Sequence, residues 1–303
     1  MTSPTLAYFP CETPSAHRMA YWQWGNPNAD HTVVCVHGLS RQGRDFDVLA
    51  QALVDRAERE GGAIRIICPD VVGRGKSDWL ADPQGYQVPV YAADMLALLA
   101  HLQPKTLDWV GTSMGGLIAM AVAQYLPTVG VHLRRLVLND VGPVIEWSAL
   151  QRIGTYLGKA GHFASEQAAA DAMWAISRSF GPHTSEQWLQ LSRPMVKPVK
   201  NDAGKDVFSL HYDPAIATPF ASVTQEMAAQ GEALLWQAYD AITAQTLLVR
   251  GADSDLLSTE TAKRMTERGP HARLVEFAGV GHAPTLIAAD QVDAVVSFLW
   301  AAE

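Results

Sequence analysis

Apolar runs of two periods alternate along much of the chain. Short continuous runs with the look of buried strands are Thr32–Val36, Ile64–Cys68, Leu107–Val110, Arg135–Asn139, Thr246–Arg250 and Ala272–Phe277. Between them the period changes to that of helices. Val48, Leu49, Leu53 and Val54 share one face, and so do Met95, Leu98, Leu99 and Leu102 within Tyr91–Leu102. Leu117–Ala123 is apolar all round, as a core helix is. The spacing predicts further helices over Thr259–Arg268 and Ala289–Ala301, the second turning Val292, Val295, Val296 and Leu299 inward. Strand and helix in alternation predict a parallel sheet covered by helices. Before the first buried run, Ala7–Phe9 and Met19–Trp24 suit an antiparallel pair at a sheet edge, closed by the Gly25-Asn26-Pro27-Asn28 turn.

The alternation breaks between Pro143 and Asp240. Amphipathic patches at Gln167–Ser179 and Glu186–Leu191 and a polar interlude at Lys197–Gly204 occupy this region, with four tryptophans, Trp147, Trp174, Trp188 and Trp236. We read it as a mainly helical insertion over one end of the sheet. The division is then a core of residues 1–142 and 241–303 and a helical cap of residues 143–240.

The chemistry-bearing stretch is Gly111-Thr112-Ser113-Met114-Gly115-Gly116, set between the Leu107–Val110 strand and the apolar helix. A strand that turns abruptly into a helix at a serine is a nucleophile elbow. The serine needs a strained backbone at the tip, and Gly111 and Gly115 remove side chains that would collide there. The first amides of the helix lie beside the serine oxygen as unpaired donors.

A serine hydroxyl needs a base, and the base needs an orienting group. His282 follows the last strand on a loop loosened by Gly279 and Gly281 and is the candidate base. Three carboxylates compete for the orienting role. Asp255 is preferred, because Leu256-Leu257 can pack and hold its loop; Asp253 and Asp140 are the alternatives, and those not used are turn or capping groups. The second oxyanion donor is expected from the loop after Val33–Val36, with the Leu39 N–H paired with the Met114 N–H. His37 is read as a structural histidine bracing that loop. Arg41 and Arg44 are either partners for a substrate carboxylate or ordinary solvated charges.

Gly73-Arg74-Gly75-Lys76-Ser77 ends like a phosphate-binding loop. Asp70 stands where that motif needs a glycine, and Asp78–Pro83 starts no helix, so a tight turn is expected in which Ser77 and Asp78 bond the backbone.

Composition narrows the remaining choices. The 303 residues are 48% hydrophobic and 18% charged, which is a foldable chain. A net charge of -8 argues against nucleic acid as a partner. Cys11, Cys35 and Cys68 are odd in number, and the last two lie in strand-like runs, so a reducing compartment is expected. No secretory signal or membrane-length apolar run is visible, and a cytoplasmic location is the expectation. No metal-ligand spacing is present, so neither cofactor nor metal is expected.

Taken in order, His37-Gly38-Leu39, the Asp70–Ser77 turn, the Ser113 elbow, Arg250-Gly251 through Asp255, and Gly281-His282 resemble the α/β-hydrolase superfamily over nearly the whole chain. The resemblance implies a mostly parallel eight-stranded sheet with an antiparallel strand near its start. It also implies a helical cap inserted after the sixth strand. The Ser-Met-Gly-Gly elbow is similar to that of carboxylesterases, enol-lactonases, carbon–carbon bond hydrolases and cofactor-free haloperoxidases. The function expected first is a serine hydrolase using water to cleave an ester, thioester or lactone of a small apolar acid through an acyl-enzyme on Ser113. Carbon–carbon cleavage of a vinylogous diketone, perhydrolysis, and a non-catalytic small-ligand receptor are the alternatives. Oligomeric state is not legible.

Overall fold

The computed structural model describes residues 3–159 and 161–301; the first two and last two residues of the expected core, and residue 160 of the expected cap, lie outside the described residues. Eight strands form the main sheet: β1 (Thr5–Cys11), β2 (His17–Gly25), β3 (His31–Val36), β4 (Arg65–Asp70), β5 (Thr106–Thr112), β6 (Leu133–Asn139), β10 (Gln245–Gly251) and β11 (Arg273–Phe277). Their order is β1-β2-β4-β3-β5-β6-β10-β11. β2 runs antiparallel to both β1 and β4, and every other pairing is parallel. The central strands are buried on both faces, which is why they read as continuous apolar runs without alternation.

Helices cover both faces. α1 (Asp47–Arg59) and α10 (Ala289–Leu299) pack together on one core, with Leu49, Leu53, Val295 and Leu299 buried among Val33, Ile66, Val137 and Val249. On the other face lie α2 (Val88–Leu102) and α3 (Met114–Ala123), with Leu98, Leu99, Ile118 and Met120 against Val34, Trp109 and Leu136. Asp47 opens α1 directly after Phe46, and the Asp45 and Asp47 carboxylates are taken by Arg41 and Arg44.

The segment between β6 and β10 carries α4 (Trp147–Gly154), β7 (His162–Phe163), α5 (Glu166–Ser177), α6 (Ser185–Ser192), β8 (Val196–Lys200), β9 (Asp206–Leu210), α7 (Ala217–Ala221) and α8 (Gln225–Asp240). It differs from the sequence reading in two respects. The polar interlude is a hairpin: β8 and β9 pair antiparallel with β7 beyond them, and Asn201 turns the chain by accepting the Ala203 and Lys205 N–H groups. Lys197 earns a place in a strand through its stem and charge, with Nζ 4.5 Å from the centre of the Trp79 ring. The last helix, α8, packs against α3, and Trp236 and Tyr239 join the main core instead of the cap. α9 (Thr259–Glu267) completes that layer.

The sheet's register positions the site. Gly111 pairs with Val36, Thr112 with Asn139, and Val249 with Asn139. The C-terminal ends of β3, β5 and β6 therefore lie within one residue of each other, while β10 runs two residues further to Gly251, and the residues that follow the first three strands, His37, Ser113 and Asp140, stand side by side. Strand order reverses at β3, with β4 on one side and β5 on the other, the crevice at which open α/β sheets bind ligands.

Candidate active site

Ser113 sits between β5 and α3 with φ 51° and ψ -116°, a conformation that costs roughly 1–3 kcal/mol for a side-chain-bearing residue. The surroundings hold it there. Its N–H donates to the Asn139 carbonyl at 3.0 Å, and its carbonyl accepts from Gly116 N and Leu117 N. A Cβ on Gly111 would lie 2.5 Å from the Gly115 oxygen, and one on Gly115 would run into the Val36 carbonyl. The elbow thus closes only because both positions are glycine.

His282 reaches Ser113 from the loop after β11. The Ser113 hydroxyl is 2.9 Å from His282 Nε2, and His282 Nδ1 is 2.7 Å from Asp140 Oδ2. An ionised carboxylate can only accept, so the Nδ1 proton points at Asp140 and Nε2 is left to take the serine proton. Asp140, fully buried and at φ 57°, follows β6 directly; its carboxylate also accepts from Gly251 N at 3.0 Å and Ser254 Oγ at 2.7 Å.

The preferred acid of the sequence reading is corrected here. Asp255 does not meet His282. It is exposed and turned to the cap, where Arg152 donates to its two oxygens at 2.6 and 2.9 Å. Asp253 is exposed as well. The reason is reach and register: β10 ends at Gly251, so Asp255 lies four residues out along a loop, whereas Asp140 is the first residue beyond a strand whose end is level with the elbow. The signal available in the sequence was an acid placed immediately after a buried strand.

The loop after β3, expected to carry the second oxyanion donor, lies against Ser113. A Cβ on Gly38 would sit 3.7 Å from Ser113 Cβ. His37 is fully buried; its Nδ1 donates to the Gly38 carbonyl at 2.7 Å and its Nε2 accepts from Val71 N at 2.9 Å, so it braces the loop as a neutral ring. Burial drives its pKa down to about 3. Met114 begins α3, and Ser113 makes no side-chain cap bond, so the serine oxygen does not engage the helix's leading amides. Arg41 and Arg44 are both clamped by carboxylates, on Asp45 and Asp47 respectively. Arg41 also donates to the cap carbonyl of Leu191 at 3.3 Å.

A cavity of about 270 Å³ opens above Ser113 and His282. Its walls are mainly apolar, with Leu39, Ile153, Leu157, Met173, Phe180 and Leu210 prominent, and Arg152 and Lys159 also reach it. Trp174, Trp188 and Trp236 do not line it. Trp188 and Trp174 pack edge-on within the cap, and Trp236 is stacked by Arg264 and Arg268. The cap also grips the histidine loop, since Gly281 N donates to the Ser179 carbonyl at 2.5 Å and His183 Nε2 lies 2.8 Å from Thr285 Oγ1.

The glycine turn after β4 is used for support. Asp70 accepts from Gly43 N, Lys76 N and Trp22 Nε1, the Ser77 hydroxyl donates to the Asp70 carbonyl, and Asp78 accepts from Arg18 N. Burial raises the Asp70 pKa to about 6. Among the described residues, Cys11, His17 and Asp94 bring potential metal-ligand atoms within 4.8 Å of one another. Both His17 nitrogens are engaged there, Nδ1 on the Ser15 carbonyl and Nε2 on Asp94. Among the described residues no helix is long and apolar enough to cross a membrane.

The chain is similar to several known hydrolases. The chain is 48% identical over 291 residues, 96% of each chain, to a 3-hydroxybutyrate-oligomer hydrolase of Cupriavidus necator. It is 27% identical over 270 residues to an esterase of Mycobacterium tuberculosis, covering 84% of this chain and 76% of the esterase. The crystal structure of an α/β hydrolase from Novosphingobium aromaticivorans superposes with a TM-score of 0.80 at 32% identity, over 99% of both chains. The sequence pattern of the alpha/beta hydrolase family matches residues 33–298, and with the sheet order and elbow described above the chain belongs to that family.

Proposed function

We propose that the protein is a serine hydrolase that cleaves the ester bonds of short hydroxyacid esters, 3-hydroxybutyrate oligomers among them, through an acyl-enzyme on Ser113. The observation that carries this reading is the unbroken Ser113–His282–Asp140 hydrogen-bond chain at the floor of a small, mostly apolar cavity. The substrate class is supported by the relative at 48% identity, whose name specifies a 3-hydroxybutyrate oligomer. The cavity volume, slightly under the usual range of about 300–1,000 Å³ for small-molecule sites, favours a short acyl group.

In the acylation step His282 Nε2 takes the Ser113 proton as Oγ attacks the ester carbonyl carbon. The carbonyl π pair moves to oxygen, and the N–H groups of Leu39 and Met114 hold that charge. Collapse of the tetrahedral adduct breaks the carbon–oxygen bond, and the departing alkoxide collects the proton from His282. Water then repeats the sequence on the acyl-enzyme and releases the acid and free Ser113. Asp140 keeps the ring's Nδ1 protonated and steadies the imidazolium. A fluorophosphonate label followed by peptide mass spectrometry tests the nucleophile: the adduct is expected on Ser113 and absent from Ser113→Ala. Release of monomer from a 3-hydroxybutyrate dimer tests the substrate. Labelling elsewhere, or a wild-type protein inert to both reagents, refutes the assignment.

A further inference from the structure

The side chain of Arg74 is fully buried, yet none of the ion pairs among the described residues includes it. Burying a cation without a carboxylate is costly, so the groups that do meet it are informative. Its Nε donates to the Leu39 carbonyl at 2.8 Å. Nη1 donates to the Val72 carbonyl at 2.7 Å and the Tyr91 hydroxyl at 3.0 Å, and Nη2 lies 3.7 Å from the Met114 sulfur. The guanidinium carbon sits over the Tyr91 and Tyr86 rings, 4.9 and 5.7 Å from their centres. One rigid planar group therefore touches both residues whose backbone N–H groups are assigned to the oxyanion, one on the β3 loop and one on the elbow helix.

The sequence motif explains how Arg74 gets there. Gly73 and Gly75 have φ of 84° and 53°, and a Cβ at either would strike Tyr86 or Asp70, so only a glycine–arginine–glycine turn can aim this side chain inward. The turn is laced to the cap on both sides: Asp213 N donates to the Gly73 carbonyl at 2.7 Å, and Gly75 N donates to the His211 carbonyl at 2.8 Å.

We infer that Arg74 is a positioning residue of the oxyanion hole: its guanidinium fork sets the spacing between the Leu39 loop and Met114. Its uncompensated charge also favours negative charge developing at the site. The inference rests on the hydrolytic reading of Ser113. A lysine keeps the charge but cannot bridge both contacts, because its single ammonium lacks the planar fork. Methionine keeps the length and loses both.

The test uses purified full-length wild type, Arg74→Lys, Arg74→Met and Tyr91→Phe, with a p-nitrophenyl ester for kinetics. A trifluoromethyl ketone serves as tetrahedral mimic and a short carboxylic acid as ground-state ligand. Loss of one oxyanion donor typically lowers kcat by about 10²–10³-fold. Arg74→Met is expected to lose about a hundredfold in kcat with KM within about threefold, and Arg74→Lys about tenfold. Ketone affinity should fall in parallel with kcat/KM while acid affinity stays unchanged, a split that general loosening of the fold does not produce. If Arg74→Met does not fold, the lysine and Tyr91→Phe variants carry the test, the latter with a loss of about threefold in kcat. Folded variants with kcat within about twofold of wild type overturn the inference, as does an equal loss of ketone and acid affinity. Wild-type protein that neither turns over the ester nor labels at Ser113 overturns the hydrolytic reading itself.

Discussion

Replacing Asp140 by asparagine separates the two acids most sharply. The carboxylate receives three donors, Gly251 N, Ser254 Oγ and His282 Nδ1. Asparagine is the same size but has one acceptor oxygen. Gly251 N is a fixed backbone donor and claims that oxygen, which leaves the amide NH₂ facing His282. The ring must then accept at Nδ1 and carry its proton on Nε2, so Ser113 loses its base while the geometry persists. The same exchange in a serine triad lowers kcat by about 10⁴-fold, or roughly 5.5 kcal/mol of transition-state stabilisation. Asp255→Asn breaks only the pair with Arg152, whose side chains are 44% and 36% exposed. An exposed pair contributes about 0–1 kcal/mol, so kcat should change by no more than roughly fivefold. Both variants are assayed for kcat on a p-nitrophenyl ester, with thermal melting to show that each is folded. An Asp255→Asn variant crippled by a thousandfold beside a nearly normal, folded Asp140→Asn would refute the reasoning.

Two further outcomes follow from the packing and the protonation states. Gly115→Ala drives a methyl group into the Val36 carbonyl, with the His37 oxygen only 3.1 Å away. It should cost about 1–3 kcal/mol in chemical denaturation, while Gly231→Ala, with open space around its Cβ, should be neutral or mildly stabilising. His37 titrates near pH 3 in the fold and near 6.5 when unfolded. Between those values the unfolded chain binds the extra proton, so this residue's contribution is intact above pH 6.5 and is lost as pH falls towards 3. Moving from pH 7 to pH 5 should cost about 2 kcal/mol that a His37→Gln variant does not lose; identical pH slopes in urea unfolding would contradict the neutral-ring account.

Much of this molecule was legible locally. Continuous apolar runs mark strands buried on both faces, and the shift to helical spacing marks the helices that cover them, because burial imposes its own period on each element. The elbow was legible for the same reason: two glycines flank a serine whose strained backbone admits nothing larger. The β8–β9 hairpin escaped because its residues are partly exposed and its lysine stems substitute for apolar side chains, so no alternation appears. α8 looked like cap, since its place in the chain says nothing about which core its apolar face meets.

What the chain alone determined is therefore most of the elements and the places of Ser113 and His282, the candidate nucleophile and base. Only tertiary structure brought Asp140, and not Asp255, to His282, and set the Arg74 guanidinium against Leu39 and Met114 with no carboxylate paired to it among the described residues. Both placements depend on which strand ends are level with one another across the sheet. That register is set by pairing between segments far apart in sequence, so Asp140 and Asp255 are equivalent as letters and differ only in where the sheet delivers them.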